Sequence, residues 1–161
     1  MIEKIRRFSL PLQYDEKLIS KDKYRIYWNA VLMTPGTYID ALSGEVSIID
    51  REVLRKTALN WSENYLNIDH DVYSVLSRIG YVEPKGWNGE SVIGNLKILP
   101  VTQRAKDVIS LIDAGLITDL SVEMKSVEEW DNRKSGWRIL DITYTGAAIV
   151  TKGACPHAKI K

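Results

Sequence analysis

The hydrophobic and polar positions of this chain change period several times, and each change marks an element. Residues 24–33, "YRIYWNAVLM", are rich in aromatic and β-branched side chains and alternate Tyr24, Ile26, Trp28, Ala30 and Leu32 on one side. That period of two predicts a strand. "TPGTY" follows as a turn, with Pro35 and Gly36 as breakers. From Asp50 the period lengthens: Leu54, Ala58, Trp61 and Tyr65 recur at spacings of four, three and four. This predicts a helix over 50–66 opened by Asp50 as N-cap. "VEPKGWNGE" reads as a loop, and "SVIGNLKILPV" as the strand after it. "TQRAKDVISLIDAG" predicts a second helix, with Thr102 as N-cap, Ala105, Val108, Ile109 and Ile112 inward, and Gly115 as a left-handed stop. "LITDLSVEMKSV" returns to strand character, and residues 129–150 read as a hairpin turning at "RKSG".

Strands dominate this order, with no alternation of strand and helix into βαβ units. The expected class is α+β, a mostly antiparallel, curved or barrel-like sheet with two or more packed helices. No repeat or linker divides the chain, so residues 1–161 read as a single domain, with 1–20 as a flexible N-terminal segment. Within that segment "KIRR" reads as a solvated charge cluster, and the end of the chain, "TKGACPHAKIK", as a short polar tail.

Composition narrows the function classes. A formal net charge of +1 offers no global attraction to nucleic acid or anionic membrane. Cys155 is the single cysteine, which rules out an internal disulfide, and no apolar run is long enough for a signal peptide or a bilayer span. An intracellular globular protein is expected. No G-x-S-x-G elbow, P-loop, dinucleotide glycine pattern or C-x-x-C pair occurs. Trp87, in its glycine-flanked loop, is the best candidate for an exposed aromatic.

One short stretch raises a chemical question. In "LNIDHDVYSV", His70, one of two histidines, stands between Asp69 and Asp71. Adjacent residues on an extended chain cannot converge on one ion, so a metal site there is not expected, and Cys155 with His157 makes no second ligand pair. No cofactor is expected. A histidine titrates near neutrality and can serve as a general base. Ser121, in "GLITDLSVEM", is a hydroxyl that would need such a base to become a nucleophile. Spacing alone does not join the two.

Taken in order, "NIDHDV", "SRIGYV", "DVISLIDAGLITDLSVEM" and "GAAIVTKGACPHAKI" resemble the phage prohead (capsid maturation) serine proteases, a family distantly similar to the herpesvirus assemblins. The likeness runs from about Trp61 to Ile160. It implies an assemblin-like fold, with Ser121 as nucleophile and His70 as general base. It also implies cleavage of scaffold and major capsid proteins inside an immature shell in the host cytoplasm, with self-cleavage and a homodimer as family traits. Neither a membrane nor a specific nucleic acid is implied as partner. The alternative is a non-catalytic structural or assembly protein retaining the fold.

The chain departs from the family pattern at one point. The third catalytic position, on the closing strand, falls on Gly146, which has no side chain to orient an imidazole. Asp141 lies five residues upstream and reaches the same side only through a bulge, for which Gly146 is suited. Glu123, two residues beyond Ser121, shares its side of a strand. Asp69 and Asp71 would point away from His70 in a strand. For the oxyanion hole the resemblance implies the segment after the closing strand, Lys152, Gly153 and Ala154.

Overall fold

A computed structural model describes residues 1–15, 17–19, 23–40, 43–71, 74–117 and 119–151. Ten strands form one strongly curled, mostly antiparallel half-barrel sheet accompanied by two α-helices among the described residues. In chain order these are β1 (Ile2–Pro11), β2 (Lys17–Ile19), β3 (Arg25–Met33), β4 (Gly36–Ile39), β5 (Val46–Ile49), α1 (Arg51–Thr57), β6 (Tyr65–Ile68), β7 (Arg78–Trp87), β8 (Val92–Ile98), α2 (Gln103–Asp113), β9 (Asp119–Asp131) and β10 (Gly136–Val150). A 3-10 turn, Val75–Ser77, leads into β7. The sheet runs β1-β9-β10-β6-β7-β8-β3-β2, with the β4–β5 hairpin attached to β10 through β5. Among the described strands two pairings are parallel, β10 with β6 and β10 with β5. The expected class is the observed one.

Where local signals are strong, elements fall where the pattern places them. Helix α2 starts at Thr102, whose hydroxyl accepts the Ala105 N–H at 3.1 Å. Its buried side chains are Ala105, Val108, Ile109 and Ile112, and Gly115 takes a φ of +74°. The β9–β10 hairpin pairs Asp131 with Gly136, so the turn is "NRKS" and Gly136 opens the second strand.

Elsewhere tertiary pairing overrides the period. The helix expected over 50–66 stops at Thr57. Beyond it, Tyr144 N–H donates to Asn60 C=O (2.9 Å), Ser62 N–H to Tyr144 C=O (3.0 Å), and Asn60 Nδ2 to Ile142 C=O (2.7 Å). Trp61 stacks on Tyr144 with centroids 4.8 Å apart. The chain is thus drawn onto β10, and Tyr65 and Leu66 enter β6. Asp50 occupies the N-cap position without a side-chain cap bond; its carboxylate takes Arg138 Nη1 at 2.5 Å. In β3 the expected alternation breaks at Asn29, which has φ +51° within a register shift between Tyr27 and Ala30. The bulge swaps sides, so Tyr27, Ala30 and Leu32 join the core. Most of "VEPKGWNGE" is strand, with a register shift at Pro84/Gly86, and Trp87 is half-buried against the core rather than exposed.

The largest difference lies at the N-terminus. Residues 2–11, expected within a flexible segment, form β1, paired with β9 from Ile2↔Glu128 to Pro11↔Asp119. Phe8 and Leu10 face the core. "KIRR" is not a solvated cluster: Arg6 is 1% exposed and donates Nε and Nη2 to Glu128 (2.9 Å each) and Nη1 to Asp40 (3.0 Å). Burial disfavours its charge, but the bonds to Glu128 and Asp40 outweigh it, so Arg6 holds its proton more tightly than an ordinary arginine. A buried guanidinium without carboxylate partners would cost several kcal/mol, roughly, so these contacts stitch β1 to β9 and to the β4–β5 hairpin.

Candidate active site

Strand β10 is the axis of the site. On one flank Gly146 lies opposite Glu123 and Ala148 opposite Ser121. On the other flank Ala147, Ala148 and Ile149 pair with Leu66, Asn67 and Ile68 of β6. Directly opposed residues share a face, so Ser121 and Glu123 stand side by side with only a methyl and a hydrogen on β10 beside them. Nothing bulky on β10 then blocks a side chain reaching over from β6.

That side chain is His70. Beyond Ile68 the backbone turns through Asp69, with φ +51°, whose N–H donates to Ile149 C=O at 2.9 Å. The turn delivers His70 Nε2 to 2.7 Å from Ser121 Oγ. Asp71 anchors the far side, its Oδ1 accepting the Ser74 N–H and its Oδ2 the Ser77 hydroxyl, both at 3.1 Å. The two aspartates therefore shape the turn: one takes a left-handed backbone that favours Asp, the other closes the loop.

The ring's other nitrogen, Nδ1, lies 3.9 Å from Glu123 Oε2, within ion-pair range and beyond a direct hydrogen bond. Arg7 Nε from β1 donates to the same oxygen, and Thr145 Oγ1 donates to Oε1 at 3.2 Å. His70 and Glu123 are each 18% exposed at the side chain, and Ser121 is 1% exposed. Burial, with the Arg7 charge second, pushes the imidazole down to about 4, against a smaller upward pull from Glu123. At neutral pH the ring is uncharged and its Nε2 lone pair can accept the Ser121 proton; the ring's own proton then sits on Nδ1, towards Glu123. A cavity of about 60 Å³ opens beside the ring, lined by Glu63, Tyr65, Arg78, Glu123 and Gly146 among others. That volume is large enough to admit a water or another small group.

Of the other candidates, Asp141 lies opposite Val127 and is exposed. It stands roughly 20 Å along β9 from Ser121, so it is not brought to the site. Gly146 does lie in an irregularity, with a register shift after Tyr144 and φ +147°, but the bulge does not carry Asp141 inward. Glu123 is the residue that lies opposite Gly146. Lys152, Gly153, Ala154, Cys155 and His157 lie outside the described residues. Among the described residues no group of three His, Cys, Asp or Glu could hold a metal ion. Arg7 and Thr145 escaped the sequence reading. The available signal was the alternation Arg7, Ser9 against Phe8, Leu10, which marks a strand with one buried side.

The family model described as Caudovirus prohead serine protease matches residues 22–161. The chain belongs to that family. The solved structure of the bacteriophage T4 capsid assembly protease, gp21, superposes with a TM-score of 0.67 at 9% identity, over 92% of this chain and 98% of that one. At that identity the likeness speaks for the fold. No curated protein sequence matches. No helix among the described residues of this prohead protease family member is long and apolar enough to cross a membrane.

Proposed function

We propose that this chain is an endopeptidase that cleaves scaffold and major capsid proteins, and trims itself, within the prohead. Ser121 acts as nucleophile, His70 as general base and Glu123 as the acid facing the ring's second nitrogen. The observation that carries the reading is the 2.7 Å contact between His70 Nε2 and Ser121 Oγ, made by residues 51 positions apart in a family of serine proteases.

The chemistry follows from the arrangement. The Ser121 hydroxyl donates to Nε2; as Oγ attacks a scissile carbonyl, the proton passes to the ring. The imidazolium so formed is stabilised by the Glu123 carboxylate, which costs less at 3.9 Å than leaving the charge unpaired in a buried site. His70 then protonates the departing amine, and a water attacking the acyl-enzyme restores Ser121.

The test is co-expression with the neighbouring scaffold and capsid proteins, together with labelling by a phosphonofluoridate. Cleavage and labelling by the wild type, both abolished in Ser121→Ala, are expected. If wild type and Ser121→Ala leave every partner uncut and neither is labelled, the chain is a structural relative that keeps the fold.

A further inference from the structure

Arg7 sits on the outermost strand of the sheet yet reaches the centre of the site. It lies opposite Glu123 in the β1–β9 ladder, with Ser9 opposite Ser121 one step along the same face. Its Nε bonds Glu123 Oε2, while Thr145 occupies Oε1. Both carboxylate oxygens thus have donors other than His70, and the oxygen nearer the ring is the one Arg7 holds, 3.9 Å from Nδ1. A carboxylate shared in this way presents the imidazole with only part of its charge.

Several charged or titratable groups surround the ring. Arg7 comes from β1, Glu123 from β9 and Arg78 from β7; Glu63 and Tyr65 come from the segment entering β6. Asp69 and Asp71 flank the ring in its own turn, and Asp71 is committed to Ser74 and Ser77. Arg78 lies over the Tyr65 ring at 3.5 Å. After desolvation, Arg7 and Glu123 are the charges that act on His70, in opposite directions.

We propose that Arg7 is a positioning residue of the catalytic site: it divides the Glu123 carboxylate between itself and His70 and so sets how strongly the imidazole accepts the Ser121 proton. The proposal rests on His70 as the base, but its electrostatic part is measurable whether or not the protein cleaves anything. The same geometry ties the strength of the base to the seating of β1, because Arg7 reaches Glu123 only while β1 is paired with β9.

The test is the NMR titration of the His70 imidazole in the full chain. Only two histidines contribute, and His157→Gln assigns them. The wild-type midpoint is expected at about 4. Arg7→Met should raise it by roughly one unit or more, and Arg7→Lys should stay near wild type. In a Glu123→Gln background the effect of Arg7→Met should be clearly smaller, since the shared carboxylate is gone. If Arg7→Met does not fold, Arg7→Gln, which keeps a donor without the charge, takes its place. A midpoint unmoved by loss of the Arg7 charge overturns the proposal, as does an equal shift with and without Glu123. The acid limb of kcat/KM should follow the NMR midpoint. A moving midpoint in a protein that cleaves nothing refutes the catalytic reading of His70 while leaving the Arg7–Glu123 coupling intact.

Discussion

At the scale of single residues, the site is governed by what each group costs when water is removed. His70 is neutral in the folded protein down to about pH 4, while an unfolded histidine protonates near 6.5. Between those values the unfolded chain binds a proton that the native chain does not. Stability contributed here is therefore full above pH 6.5, falls as pH drops towards 4, and is flat below. The loss is roughly 3 kcal/mol. Urea titrations from pH 7 to 4 should show a steeper loss in the wild type than in His70→Gln; parallel curves would contradict the burial. Glu123→Gln keeps shape and removes the charge facing Nδ1, so kcat should fall by about 10³–10⁴ with little change in KM, measured on a cleaved capsid peptide. Gly146 has φ +147°, and a methyl there would lie 3.1 Å from Tyr65 C=O. Gly146→Ala should cost about 1–3 kcal/mol of stability by thermal unfolding.

At the scale of elements, the helices and the strands were legible to different degrees. Helix α2 could be read from Thr102 to Gly115 because its cap, apolar stripe and stop are all local. The start of helix α1 could be read at Asp50 but its end could not, since Asn60 and Trp61 exchange helical hydrogen bonds for β10 and Tyr144. No local pattern announces a partner some eighty residues away. Strand β1 shows the same limit: "KIRR" carries charge, and charge reads as solvent-facing unless the acids that receive it are known. Those acids, Glu128 and Asp40, come from β9 and from the end of the β4–β5 hairpin. Arg6→Ala should therefore destabilise by about 3–5 kcal/mol by denaturant unfolding, because it strands Glu128 in the interior. A double replacement by apolar residues of similar volume should recover much of that loss.

At the scale of the whole molecule, β9 and β10 are the spine, paired with each other over most of their length and each flanked by another strand. Amide exchange should be slowest in these two strands and fastest in the short strands β2 and β4. Uniform protection across the sheet would contradict this. Much of the architecture was readable from sequence alone: the α+β class, the span of α2, the terminal hairpin, and, through the order of short motifs, His70 and Ser121 as the pair to examine. These rest on period, capping and turn chemistry, which act over a few residues. What the tertiary structure decided was the meeting itself. The parallel pairing of β6 with β10, and the left-handed turn at Asp69, carry the imidazole over a strand that bears only Gly146 and Ala148 beside the acid and the hydroxyl. The placement of Glu123, and not Asp141, beside the ring, and the arrival of Arg7 next to it, follow from strand register. Register is set by the burial of entire faces at once, and no single stretch of the chain contains it.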